Sequence, residues 1–178
     1  MVYSLRKKFI LVSAASILIV FLAIFATMFI MSNIQLNHTM DALTDIIASN
    51  GGVFPEFGKA GYPLPSNGGP YANIITEETS FSTRFFTVWL DEDDQIAKVN
   101  TSQISSISEA QIQEYTRLIL EDNRERGWVS DYRYKVFETK SGTAVVFVNG
   151  TMNQIVESRF LFTSLLILIG SGLFVLIL

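Results

Sequence analysis

The chain has no cysteine among its 178 residues, a single histidine, and four prolines confined to positions 55–70. The lack of cysteine excludes disulfides, thiolate metal sites, cysteine nucleophiles and a lipid-modified cysteine. An exported domain that manages without disulfides is more bacterial than eukaryotic in flavour. With His38 as the only histidine, no Ser-His-Asp set or metal-ligand cluster stands out, nor does a glycine-rich phosphate loop. His38 itself reads as a solvated helix position, with pH sensing as the sharper alternative. Positive charge is also scarce: residues 33–158 hold 17 Asp/Glu against 9 Lys/Arg, a formal charge of −8. Nucleic-acid affinity rests on cations that neutralise phosphates, so this balance argues against nucleic acid. It argues equally against broad contact with an anionic lipid surface.

Two stretches lack charge altogether. Phe9–Met31 has 23 residues and Phe160–Leu178 has 19. About 20 apolar residues cross the ~30 Å hydrocarbon core as a helix, so both qualify as membrane spans. Arg6, Lys7 and Lys8 directly precede the first run, and short basic flanks stay in the cytoplasm. The reading is therefore a cytoplasmic N-terminus (1–8), a first transmembrane helix (9–31), an extracytoplasmic domain (32–158) and a second transmembrane helix (159–178). The second run reaches Leu178 without a polar residue after it, so a cytoplasmic output region is expected beyond. A cleaved signal peptide would have an apolar core of about 7–15 residues and a small-x-small site. The run is longer, and Ala23-Ile24-Phe25-Ala26 misses that spacing. Small residues Ser13 and Ser16 in the first span, and Gly170 and Gly172 in the second, suggest a place where the two helices pack closely.

Between the spans, Leu36, Met40, Leu43 and Ile47 recur at four, three and four residues, an a/d seam on a helix continuous with the first span. The seam suits either the domain's own core or a homodimer partner. Gly51-Gly52 stops the helix, and residues 51–73 are loop-like. Phe81–Leu90 reads as a strand, Asp91 to Asp94 as a turn and Gln95–Asn100 as a second strand. Ser108 with Gln111 forms a capping box for a helix whose apolar face is Ile112, Tyr115, Leu118 and Ile119. Arg124, Arg126 and Gly127 read as its basic last turn and glycine stop. Trp128–Phe137 and Thr143–Val148 read as strands joined at Lys140-Ser141-Gly142, and residues 151–158 as a helix leading into the second span. The expected fold is α+β, an antiparallel sheet with helices on one face.

The layout, with the hairpin Thr87-Val-Trp-Leu-Asp-Glu-Asp-Asp-Gln-Ile-Ala-Lys-Val-Asn100, resembles the sensor region of bacterial two-component sensor histidine kinases. The hairpin is similar to the strand-Asp-x-x-Gly-x-Ile-strand element of extracytoplasmic PAS-like (PDC or Cache-type) domains, with Asp94 in place of the usual glycine. The resemblance implies a PAS-like sheet with a long N-terminal helix, flanked by two transmembrane helices. It further implies location in the bacterial cell membrane, a homodimer, a small extracytoplasmic ligand and a response regulator reached through the cytoplasmic part. Chemoreceptors and diguanylate cyclases share the architecture, and a non-signalling two-span accessory protein is the alternative from another class.

No catalytic residue and no cofactor is expected in this segment. Asp91, Asp93 and Asp94 are weak candidates for a divalent cation, since they lack the spacing of a calcium loop. Strand alternation puts Trp128, Tyr132 and Tyr134 on one face and Asp131, Arg133 and Lys135 on the other. Arg124, Arg126 and Arg133 beside aromatic residues suit a small carboxylate. Placing the ligand between the sheet and the loop-and-helix layer, as the resemblance implies, adds Tyr62, Tyr71, Phe86 and Tyr132 to the candidate set with Trp128.

Overall fold

The computed structural model describes residues 2–55, 78–140 and 142–177. The chain divides into two units, residues 1–36 with 153–178 and residues 37–152. Tyr62 and Tyr71 lie outside the described residues.

Helix α1 runs unbroken from Val2 to Ser49. No proline or glycine interrupts it, so nothing in the sequence breaks the i→i−4 hydrogen-bond ladder. Among the described residues one helical stretch, Lys8–Ser49, is long and apolar enough to cross a bilayer. Phe9, Val12, Ile19 and Met31 on it are all more than half exposed. Gly51 and Gly52 end the helix at φ 71° and 90°, and their amides bond back to the Ala48 and Ile47 carbonyls. The helix α4, Thr151–Ile177, contains the second apolar run as far as Ile177. A methyl group built on Gly170 or Gly172 meets no heavy atom within 4 Å among the described residues.

Unit 37–152 is built on one antiparallel sheet of β1 (Phe85–Leu90), β2 (Ile96–Asn100), β3 (Arg126–Val129), β4 (Tyr132–Thr139) and β5 (Gly142–Asn149), ordered β2-β1-β5-β4-β3. A single helical turn, α2 (Thr79–Ser82), precedes β1, so the strand expected from Phe81 begins four residues later. The turn after β1 falls as expected at 91–94. Asp91 Oδ1 accepts from the Asp93 and Gln95 amides, and Asp94 takes φ 58°. That is the left-handed conformation that glycine adopts without penalty, and Asp tolerates it better than most residues.

Helix α3 spans Glu109–Asp122, with the Ser108–Gln111 capping box formed on both sides. Ile112, Thr116 and Ile119 are its buried residues, whereas Leu118 is 38% exposed and points away from the core. The helix stops four residues earlier than the Gly127 signal implied. Asn123 caps it in the left-handed conformation, and Gly127 lies within β3. There it faces Tyr134 so closely that an added Cβ would sit 2.7 Å from the phenol oxygen. The single strand expected over Trp128–Phe137 is instead a tight hairpin. Ser130, at φ 52°, turns the chain between β3 and β4, and Trp128 pairs with Arg133. The turn puts Trp128 on the face of Arg133 and Lys135, opposite Tyr132 and Tyr134, correcting the alternation.

Both faces of the sheet are covered, not one. On one side Phe86, Val88, Leu90, Tyr132, Tyr134, Val145 and Phe147 form a core with Ile112 and Ile119 of α3. On the other, Phe85, Thr87 and Trp89 alternate toward Val148, Val146 and Ala144. Met40, Leu43, Ile47 and Phe54 are buried within the chain. Phe54 meets Phe85 with ring centres 6.2 Å apart. Three members of the expected dimer seam, Met40, Leu43 and Ile47, are thereby used inside the protomer. Each such side chain contributes about 1.5–3 kcal/mol when removed from water.

Candidate functional site

The last three turns of α1 hold the sheet through a polar ladder. Asn37, Asp41 and Asp45 recur every four residues and so share one stripe of the helix. Opposite them, β3 and β4 present Arg126, Trp128, Arg133 and Lys135. Trp128 Nε1 donates to Asn37 Oδ1 at 2.8 Å. Arg133 grips Asp41 with two hydrogen bonds of 2.8 and 3.2 Å. Asp45 Oδ1 accepts from Arg126 at 2.8 Å and from Lys135 at 2.6 Å, and Arg126 also reaches Asp41 at 3.4 Å. Arg133 is only 13% exposed and Asp41 24%. Partial burial weakens solvent screening, so these pairs exceed ordinary surface pairs in strength. Arg133 also lies over the Trp128 ring, 5.7 Å from its centre, a cation–π contact.

Two open grooves lie on the α3 side. One of about 780 Å³ is lined by Asp94, Gln95, Ile96, Gln113, Thr116, Arg117, Leu120 and Glu121. A neighbouring one of about 310 Å³ is lined by Ile119, Asn123, Arg124, Glu125, Val136 and Thr143, and shares Asp94 and Leu120 with the first. Arg117 in the larger groove is held above its usual range by Glu114 first and Glu121 second. Behind the grooves, burial pushes the Tyr134 phenol upward, and Asp122, within hydrogen-bond reach at 3.3 Å, adds to the shift.

The residues expected to bind a ligand separate into three places. Arg126, Trp128 and Arg133 join the ladder under α1. Phe86 and Tyr132 lie on the opposite face, inside the core. Phe86 stacks on Phe147 with ring centres 4.3 Å apart and meets Tyr132 edge-on at 5.4 Å. Arg124 stands 72% exposed beside Asp122 and lines the smaller groove. The geometry thus brings the arginines to carboxylates of the chain itself. Asp91, Asp93 and Asp94 form a hairpin tip, and no group of His, Asp or Glu among the described residues is arranged to hold a metal ion. His38 is exposed on α1.

The ladder itself escaped the sequence reading. Its signal, three polar residues at four-residue spacing, runs beside the apolar seam of Met40, Leu43 and Ile47. The arrangement has no nucleophile or paired acid and base. What it does have is mechanical: a helix fixed to a sheet by directional, partly buried bonds. Comparison of the chain with family models, curated proteins and solved structures finds no match.

Proposed function

We propose that this chain is the input module of a transmembrane sensor, most simply of a two-component histidine kinase, with residues 32–158 outside the cell membrane and both flanking helices crossing it. The observation that carries the reading is the continuity of α1. One helix leaves a membrane-length apolar run and, without a break, becomes a wall of the folded domain, locked by Asp41 and Asp45. A tether would need no such lock. At the other end the central strand, β5, leads into α4 after one residue, Gly150. A change in the sheet is thereby presented to both helices.

Supporting the PAS-like reading are the long N-terminal helix, the five-stranded antiparallel sheet and the left-handed Asp94 in the position where the hairpin element has glycine. A stimulus, either a small ligand or an envelope condition, biases two arrangements of the domain, and the helices carry that bias to a cytoplasmic kinase and its response regulator. A homodimer in this reading meets through surfaces other than Met40, Leu43 and Ile47.

The test joins residues 1–178 to a cytoplasmic kinase core that lacks its own input and measures autophosphorylation in membranes. Asp41→Asn and Arg133→Gln should each shift basal output several-fold. Output identical for the parent, both variants and a chain whose residues 37–152 are replaced by a flexible linker would rule out signalling through this domain. A response seen only with a chemoreceptor or cyclase output would reassign the class.

A further inference from the structure

Trp128 touches the chain where it enters the folded unit and where it leaves. Its indole nitrogen is bonded to Asn37, the first residue of that unit. Its ring lies against Gly150, the residue before α4. A Cβ added at Gly150 would come within 2.8 and 2.9 Å of two ring carbons, a distance that real Cβ atoms do not tolerate. Gly150 is not required by its backbone conformation, since the positive-φ glycines are Gly51, Gly52 and Gly142 among the described residues. It is glycine because the indole needs the space. The Gly150 amide also donates to the Asp131 carbonyl at 2.8 Å, in the turn between β3 and β4. Arg133 covers the ring and at the same time holds Asp41.

We infer that Trp128 is a positioning residue that sets the spacing between the start of α4 and the domain end of α1, so that a shift of the β3–β4 hairpin is delivered to both helices at once. This deepens the sensor reading and rests on it for its purpose, but the joint is measurable without any signalling output. A flat, rigid indole suits the role because it couples three backbone segments with only two rotatable bonds of its own.

The experiment places nitroxides at Asn33 and Ser158 of the 1–178 chain in lipid nanodiscs and measures their distance distribution. Trp128→Ala and Gly150→Ala should shift or broaden it by about 2 Å, the scale of helix shifts at switching interfaces. Hydrogen exchange of the β1 and β5 amides should stay unchanged, which a merely destabilised domain would not allow. Trp128→Phe, which keeps a ring but lacks the donor, and Asn37→Ala should give a smaller shift and serve if the alanine variant at 128 does not fold. An unchanged distribution in Gly150→Ala and Trp128→Phe overturns the joint. A changed distribution with unchanged output from the kinase fusion supports the joint and removes the sensor reading.

Discussion

At the scale of single residues, several side chains are dictated by a neighbour a few ångströms away. Gly52 is doubly constrained. Its φ of 90° disfavours any side chain, and an added Cβ would lie 2.6 Å from Thr87 Cγ2. Its carbonyl also accepts from the buried Thr87 hydroxyl at 2.7 Å. Gly52→Ala should lower stability by more than the about 1–3 kcal/mol of backbone strain, because the clash with Thr87 adds to it, read as a lower urea midpoint. Gly51→Ala, at φ 71°, should lower it by the strain term only, because nothing lies within 4 Å of its Cβ position. Tyr134 makes a prediction about pH. Its folded pKa is raised above the ordinary 10.0, by burial first and Asp122 second. The unfolded chain therefore releases the phenol proton first, and the contribution is intact below pH 10 and lost as pH rises through the folded value. Urea unfolding above pH 10 should show a steeper decline for the parent than for Tyr134→Phe. Equal slopes would mean that Tyr134 does not titrate differently on folding.

At the scale of elements, the ladder is the connection whose strength matters. A double-mutant cycle with Asp41→Asn and Arg133→Gln should give a coupling energy of about 1–2 kcal/mol, within the range for partly buried partners in contact. The exposed Arg117–Glu114 pair of α3 should give none that can be measured. The contrast should persist at high salt, since the partly buried pair is screened much less than the exposed one. Much of the element order was legible from residues. The α3 start followed from Ser108 and Gln111, the β1–β2 turn from four consecutive acids, and the α1 stop from Gly51-Gly52. What failed has a common cause. The β3–β4 turn is made by Ser130 at positive φ, a position with no glycine or proline to announce it, and missing it put Trp128 on the wrong face. The ladder pairs residues 81 to 92 positions apart, and no local pattern states which stripe of a helix meets which strand. The seam at Met40, Leu43 and Ile47 was visible, but period alone does not choose between a partner helix and the chain's own sheet.

At the scale of the whole molecule, the helix that reads as an anchor is also part of the core. A fragment of residues 33–158 should unfold cooperatively in urea. A fragment of 51–158 should not, because losing Met40, Leu43 and Ile47 forfeits about 2–5 kcal/mol each from a total stability of about 5–15. Cooperative unfolding of the shorter piece would show that α1 is dispensable to the fold. Orientation is checked with single cysteines in an otherwise cysteine-free chain. Ser105→Cys, on an exposed loop, should react with an impermeant thiol reagent on intact cells, and Ser4→Cys only after lysis. The reverse pattern would invert the topology.

The strand order has a consequence for biosynthesis. The strand that joins β1 to β4, and so makes one sheet of two hairpins, is β5, the last to be made. About a hundred residues separate the end of α1 from the end of β5, which at ribosomal speed is about 5–20 s. During that interval the apolar stripe of α1, and the inner edges of β1 and β4 as each is made, are without their final partners. A nascent chain halted after Thr139 would hold two hairpins and the helices α1 and α3 with no central strand to stitch them together, and its survival would depend on a holdase that covers those open edges.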